Sequence, residues 1–580
     1  MGNLLIRNAK LVDGSGGAPS MADVKTSGDR IAEIDAAGSL DAGGATTIDA
    51  DGRLLTPGFV DVHTHYDGQA TWDPILAPSS WHGVTTAVMG NCGVGFAPAR
   101  PDERRALIEL MEGVEDIPGT ALHDGIQWDW ETFPEYLAAL EKLPRTIELA
   151  TQIPHGALRA YVMGERGVRQ EPATEADLKE MSDHVREAVR AGALAFSTNR
   201  MPLHTSIHGD PVPGTFAEHH ELETLTRAVI EGGGHLLQAI PAGASGEEQG
   251  GVLREVDLYR DISLATGATV TFSAPQVHAY PDEWREMMRR THEANAAGAR
   301  LVPQVLGRGG GLMLSLDTFN PFGDRPSYSE IADLPIAQRL AKMREPERRA
   351  RILAEQPPDS PTMLILGPAL NSTFAMEDGP VFEPESSESI GARAQAAGVD
   401  PMHLLYDVMC DLAERSETGR TRMMAVFFVG YADGDLEAVG EMMRDSSSVV
   451  GLADGGAHCS MICDASLPTF VLAHWVRDRS RGERLSIEHA IKLLSKEPAD
   501  LYGLGDRGLV EVGRRADLNL IDLDRVELDL PEITADLPTG ASRILQRGHG
   551  YVATICGGEV TFLDGEPTGA RPAGVIRGAR

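Results

Sequence analysis

Residues 56–65 read Thr-Pro-Gly-Phe-Val-Asp-Val-His-Thr-His. An apolar run ends in His63 and His65, two residues apart, which sends both imidazoles to one side of an extended segment at its C-terminal end. Two converging imidazoles suit Zn²⁺ or a similar borderline metal; an ordinary loop that contains two histidines is the plainer alternative. Two further segments deliver a reactive group from an apolar run into a glycine-rich turn. Cys92 follows Val84–Met89 within Gly90-Asn91-Cys92-Gly93, and Asp454 follows Val449–Ala453 ahead of Gly455-Gly456. By residue type alone, Cys92 is either inert core or a thiolate ligand. Asp454 is either a helix N-cap or an acid–base group. His458, four residues on, is placed to orient Asp454 or to contact a substrate.

Groups this far apart in sequence need a scaffold that gathers strand ends. From about residue 56 to 504 the pattern alternates strand and helix. Nine strand candidates occur: Phe59–Val62, Val84–Met89, Ile147–Gln152, Ala193–Ser197, His235–Ile240, Thr269–Ser273, Arg300–Val305, Met363–Leu366 and Val449–Ala453. Helices are expected over Asp102–Glu112, Ala176–Ala191 (with Thr174 as N-cap), Asp282–Ala297 and Pro335–Ala354. The alternation predicts α/β architecture with a parallel sheet, and a (β/α)₈ TIM-type barrel is its commonest closed form. Nine candidates for eight places leave one in excess. The stretch of about 308–420 is too long for one connection and predicts an insertion or lid over the barrel mouth. Short alternating strands at both ends, 1–55 and 505–580, predict a small discontinuous β-sandwich, with Tyr551–Cys556 and Glu559–Leu563 as a hairpin. The last ten residues are expected to be loose.

The chain has 580 residues, 42% hydrophobic and 24% charged, with formal net charge −34 and a pI near 4.9. Such a surface repels phosphate backbones and anionic lipid, which argues against nucleic acid or membrane as a partner and leaves a small-molecule substrate. Self-association is left open. Five cysteines, an odd number, fit a reducing compartment. With no signal-peptide pattern at the N-terminus, a cytoplasmic location is expected.

The segment Pro57-Gly-Phe-Val-Asp-Val-His-Thr-His65 resembles the first-strand signature of the amidohydrolase superfamily. Tyr66-Asp-Gly-Gln, Trp81-His-Gly-Val-Thr-Thr-Ala-Val-Met-Gly-Asn-Cys-Gly93, Gly113-Val-Glu-Asp-Ile-Pro118 and Gly192-Ala-Leu-Ala-Phe-Ser-Thr198 are similar to its D-aminoacylase branch, the N-acyl-D-amino-acid deacylases. So are Leu5–Gly14 and Leu504–Asp517 at the two ends. The resemblance implies metal-dependent hydrolysis of an amide bond. It makes His63, His65, Cys92 and Asp454 ligands for one or two divalent ions, zinc first, with Cys92 a bridge between two. It also makes Asp454 the base that takes a proton from metal-activated water and returns it to the leaving amine.

The resemblance thins at the fifth and sixth strands, where the branch places two more metal histidines. Gln238 stands at the first position, with His235 on the opposite side of the strand, and Ala274 stands at the second. Gln276 falls where the branch has a lysine thought to hold the substrate carboxylate. A single metal, and a substrate other than a free N-acyl-D-amino acid, are therefore expected. Candidate replacements are His278, His155, His204 and His208 as ligands or substrate contacts, and Arg159, Arg200 and Arg308 as positive charges. Cys459 and Cys463 lack a second pair for a structural zinc site. Ser197 and Ser206 lack a nucleophile elbow. Glu112, Glu115 and Asp116 read as a solvated acidic loop. Rival readings are a lactone, ester or cyclic-amide hydrolase, a metal-free lyase, and a binding protein on a degenerate scaffold.

Overall fold

The computed structural model describes residues 2–355, 369–377, 379–416 and 422–578. Parallel strands follow one another in chain order: Phe59–Asp61, Val84–Met89, Glu148–Thr151 (resumed as Ile153–Pro154), Ala195–Asn199, Leu236–Ile240, Thr269–Ser273, Leu301–Val305 and Val449–Val450, hereafter the first to the eighth. Each pairs with the next, with one register irregularity between Phe59 and Val60 of the first strand. The eighth returns to the first through a parallel bridge between Thr64 and Gly455. Eight of the nine strand candidates correspond to these elements, and Met363–Leu366 lies outside the described residues.

Helices between the strands bury one stripe. Glu175–Ala191 begins at a capping box in which Thr174 and Asp177 satisfy each other's backbone N–H groups, and it buries Leu178, Met181, Val185 and Ala188. The expected Pro335–Ala354 helix is instead two, Ile336–Met343 and Pro346–Ala354. Pro346 has no N–H to give and disfavours helical geometry in Glu345, so the first helix stops and Pro346 opens the second.

Residues after the seventh strand form a three-stranded antiparallel sheet of Gly310–Leu314, Met424–Val429 and Thr373–Ala375. With the helices Ile390–Ala397 and Pro401–Arg415 it encloses its own core of Leu314, Phe322, Ile352, Leu405, Tyr406 and Val426. The chain leaves this unit at Gly430, whose N–H donates to the Gln276 carbonyl beyond the sixth strand (2.8 Å).

The two chain ends share one nine-stranded sheet, joined where Leu518–Ile521 runs antiparallel to Leu54–Pro57. A buried ionic cluster fastens it to the parallel strands: Glu148 of the third strand takes Arg507 at 2.9 Å and Arg515 at 2.7 Å, and Asp517 sits 3.3 Å from Arg515. The terminal residues are not all loose. Ala573 and Val575 bridge to Arg145 and Leu149, and Ile576 is fully buried among Val60, Val62 and Tyr502, so apolar contact anchors the tail.

The hairpin of Tyr551–Cys556 and Glu559–Leu563 turns through Gly557 and Gly558 at φ 53° and 75°, the pair of left-handed residues that a two-residue turn of this hand requires. A Cβ on Gly558 would lie 2.0 Å from the Gly28 carbonyl oxygen, whereas one on Gly565, also left-handed, meets nothing. Both Gly→Ala changes should cost about 1–2 kcal/mol in backbone strain. Gly558→Ala should cost visibly more because it also pushes the two ends of the chain apart. Thermal unfolding of the two variants, compared side by side, checks this.

Candidate metal centre

Each reactive group sits just past the C-terminal end of a parallel strand. The first and eighth strands are stitched at that end: Asp454 N–H donates to the His63 carbonyl at 3.0 Å and His65 N–H to the Gly455 carbonyl at 2.8 Å. Asp454 Oδ1 consequently lies 3.5 Å from both His63 Nε2 and His65 Nε2. Cys92 Sγ is 3.3 Å from His63 Nε2. The turn carrying Cys92 is fixed by close packing, since a Cβ on Gly90 would meet the Gln152 carbonyl at 2.6 Å and one on Gly93 the Asn199 nitrogen at 2.8 Å. Cys92 and Asp454 are themselves left-handed, at φ 54° and 50°. Non-glycine residues hold that conformation only where the surrounding packing enforces it.

His63, His65 and Cys92 are buried and bring one ligand atom each within 4.8 Å of one another. Two imidazole nitrogens, a thiol sulfur and a carboxylate oxygen are a donor set that fits zinc or a similar borderline cation. The far side of each ring is also held. His63 Nδ1 meets Gln304 Oε1 at 2.9 Å in a hydrogen bond, and His65 Nδ1 lies at ion-pair distance, 3.2 Å, from Glu115 Oε1; each Nε2 faces Asp454. Only Asp454 opens appreciably to solvent, its side chain 24% exposed against 1% for each histidine. Solvent therefore reaches the group from the Asp454 side.

Burial pushes the Cys92 thiol up to about 12, with the nearby His65 opposing it. It pushes Glu115 up to about 7, again against His65. Burial brings His63 down to about 4 although Asp454 pulls the other way. Burial alone would raise Asp454, but hydrogen bonding to His65 and the charges of His63 and His65 hold it well below the carboxylate range. His65 moves the other way: burial lowers it, but Glu115 and Asp454 outweigh that and raise it.

Glu115 is not a solvated loop residue. It ends the helix Arg104–Glu115 and is 1% exposed. Besides His65 it lies 3.5 Å from His458 Nε2 and accepts the His458 backbone N–H. The sequence held a signal for this, because Ile108, Met111 and Glu115 fall on one helical stripe, where a carboxylate interrupts apolar residues. Asp116 caps the same corner, accepting Ser460 N–H and O–H at 2.7 Å each. Gln304, the polar residue in an apolar strand, was the other unread signal.

The remaining candidates divide. Gln238 Oε1 accepts the Cys92 N–H at 3.0 Å, and half-buried His204 finds no partner for Nδ1 among the described residues. Burial lowers His204 to about 3, and His458, His65 and His63 reinforce that shift. His155 is held by Thr198 at 2.9 Å and Glu221 at 3.0 Å, and Arg159 shares the same Glu221 oxygen. Arg200 is taken by Glu255 at 3.1 Å and two backbone carbonyls. Arg308 is buried against Ser466 at 2.8 Å and Asp464 at 3.3 Å. Gln276 donates to Asp433 at 2.8 Å. His278 meets Ser372 at 3.2 Å, and exposed His208 lies 3.3 Å from Glu109.

Glu221 supports an acid-stability prediction. Burial would raise its carboxyl, yet His155 and Arg159 bring it from the ordinary 4.5 down to about 2. A lowered folded value stabilises above the unfolded value and is lost as pH falls through the folded one. About 3 kcal/mol should therefore fade between roughly pH 5 and 2. Glu221→Gln should be markedly less stable than the parent at pH 7, with the gap closing toward pH 2, as read from denaturant midpoints along the pH series.

A model of the amidohydrolase family matches residues 46–562. N-acyl-D-glutamate deacylase of Alcaligenes xylosoxydans xylosoxydans is 27% identical over 584 residues, spanning 99% of this chain and 96% of that one. Two solved structures share the fold at a TM-score of 0.64 each. One is N-acyl-D-glutamate deacylase from Bordetella bronchiseptica, complexed with zinc and a phosphonate inhibitor, 22% identical with 99% of each chain covered. The other is D-aminoacylase, a protein described with a binuclear metal center, 21% identical with 100% of each chain covered.

Proposed function

The chain belongs to the amidohydrolase family, within its D-aminoacylase branch, and on that premise we propose that it cleaves the amide bond of a small N-acyl substrate with the aid of zinc or a similar divalent ion. The observation that carries this is Asp454 Oδ1 at 3.5 Å from two inward-facing imidazole nitrogens, beside the Cys92 thiol. The parallel strands are read as a closed (β/α)₈ barrel over 56–504. The ends, 1–55 and 505–580, are read as its β-sandwich, and about 308–420 as a lid.

His63, His65, Cys92 and Asp454 would hold the ion. A bound divalent cation supplies Lewis acidity to a carbonyl oxygen and to a water. Asp454, open on the solvent side, takes the water's proton and delivers it to the leaving nitrogen. Glu115 and Gln304 fix the tautomers of His65 and His63, so that both Nε2 lone pairs face inward. His458, on the same carboxylate as His65, lines the approach to Asp454.

Elemental mass spectrometry on protein purified without chelator should find at least one equivalent of a transition metal per chain. A chain that stays metal-free after incubation with zinc overturns the reading. Glu115→Gln keeps the size of the group that backs His65 but weakens its pull, and should lower metal affinity by about 10–100-fold. Competition with a chelator of known affinity measures it.

A further inference from the structure

Three polar atoms on adjacent strands lie beside the candidate metal centre with nothing to bond. Gln238 pairs in register with Thr271, two residues before Ser273, and Ser273 pairs with Gln304. Registered neighbours of a parallel sheet point the same way, so Gln238, Ser273 and Gln304 share one face of the fifth, sixth and seventh strands. That face is turned to the centre, because Gln238 Oε1 takes the Cys92 N–H at 3.0 Å and Gln304 Oε1 meets His63 Nδ1 at 2.9 Å. The Cys92 N–H can only donate, which fixes Gln238 Oε1, and Gln304 Oε1 follows when His63 keeps its proton on Nδ1 and turns Nε2 to the centre. The other ends, Gln238 Nε2 and Gln304 Nε2, together with Ser273 Oγ, are buried and have no hydrogen-bond partner among the described residues. The three residues are 0%, 0% and 5% exposed. Buried donors without an acceptor are costly, and a row of three beside a reactive centre marks a place where an acceptor belongs.

We propose that Gln238 Nε2, Ser273 Oγ and Gln304 Nε2 form a neutral oxyanion-binding wall, which takes a substrate oxygen carrying negative charge opposite His63, His65, Cys92 and Asp454. This rests on the amide-hydrolase reading of the same site. Neutral donors suit the position: they favour an anionic oxygen without placing a positive charge beside imidazoles that must stay uncharged to bind a cation. The oxygen is either that of a tetrahedral carbon formed from the acyl group or that of a planar carboxylate elsewhere on the substrate.

The test titrates metal-loaded full-length protein with methylphosphonate, a tetrahedral anion, and with acetate, a planar one, by calorimetry. The metal content of every sample is measured in parallel. Gln238→Glu and Gln304→Glu keep the acceptor for Cys92 and His63 while replacing the donor with an anionic oxygen, and Ser273→Ala deletes only a hydroxyl. Wild type should bind at least one anion, Ser273→Ala about tenfold more weakly and each glutamate variant about a hundredfold more weakly, with metal content unchanged. Preference for methylphosphonate assigns the wall to the tetrahedral oxygen, and preference for acetate to a carboxylate. Equal affinities in wild type and all variants, or no anion binding by the loaded wild type, overturn the proposal. If a glutamate variant loses metal, Ser273→Ala decides alone. A wild type that takes up no metal fails the hydrolase reading instead, and the wall is then judged by the same titrations on metal-free protein.

Discussion

The site depends on a pair of backbone hydrogen bonds, Asp454 N–H to His63 O and His65 N–H to Gly455 O. They join the ends of the first and eighth strands, which are far apart in sequence, and no side chain takes part. Because the contact is between main chains, it sets where Asp454 begins before its rotamer is considered. The side chain then has little choice: at φ 50° and flanked by two imidazoles, the carboxylate faces His63 and His65 together. Glu115, Gln304 and Gln238 refine this arrangement from behind. Each is a polar group in a buried position, Gln304 and Gln238 hydrogen-bonded to a candidate ligand or its backbone and the Glu115 carboxylate 3.2 Å from His65, so the preorganisation of the centre is built from the fold outward.

Much of the centre was legible because reactive residue types stood at the ends of apolar runs. The His-x-His spacing, the glycine turn around Cys92 and the Gly-Gly after Asp454 are local patterns, and local patterns can be read. Glu115 was misread because its neighbours Glu112 and Asp116 make a charged run, and charge counts say nothing of which helix face turns inward. Its place on the stripe of Ile108 and Met111 held the answer. Gln304 and Gln238 matter only through partners on other strands, which a linear pattern does not contain. The alternation of strand and helix located eight parallel strands, while the break at Pro346 and the docking of Ile576 were lost. The first was lost to an overlong helical pattern, the second to the habit of treating chain ends as loose.

The histidine-poor fifth and sixth strands are where this chain departs from the pattern that its resemblance to the D-aminoacylase branch implies. There the structure places the Gln238 amide and, beside Ala274, the Ser273 hydroxyl, while Gln276, just beyond the sixth strand, donates to Asp433. The arginines nearest in sequence to the strand ends are committed elsewhere: Arg159 to Glu221, Arg200 to Glu255 and Arg308 to Asp464. That side of the centre thus presents the neutral side chains of Gln238, Ser273 and Gln304 rather than a free positive charge.

The seam between Leu54–Pro57 and Leu518–Ile521 has a consequence for how the molecule is made. During synthesis the early strands emerge with an apolar edge whose partner is the better part of five hundred residues from being translated. Vectorial folding cannot finish this sheet; the nascent chain must carry an unpaired edge until the C-terminal strands appear. Such pairing is about as non-local as a chain allows, and it is slow for that reason. The ionic cluster around Glu148 can likewise close only once residues 507–517 have emerged, so this part of the fold is completed late in synthesis.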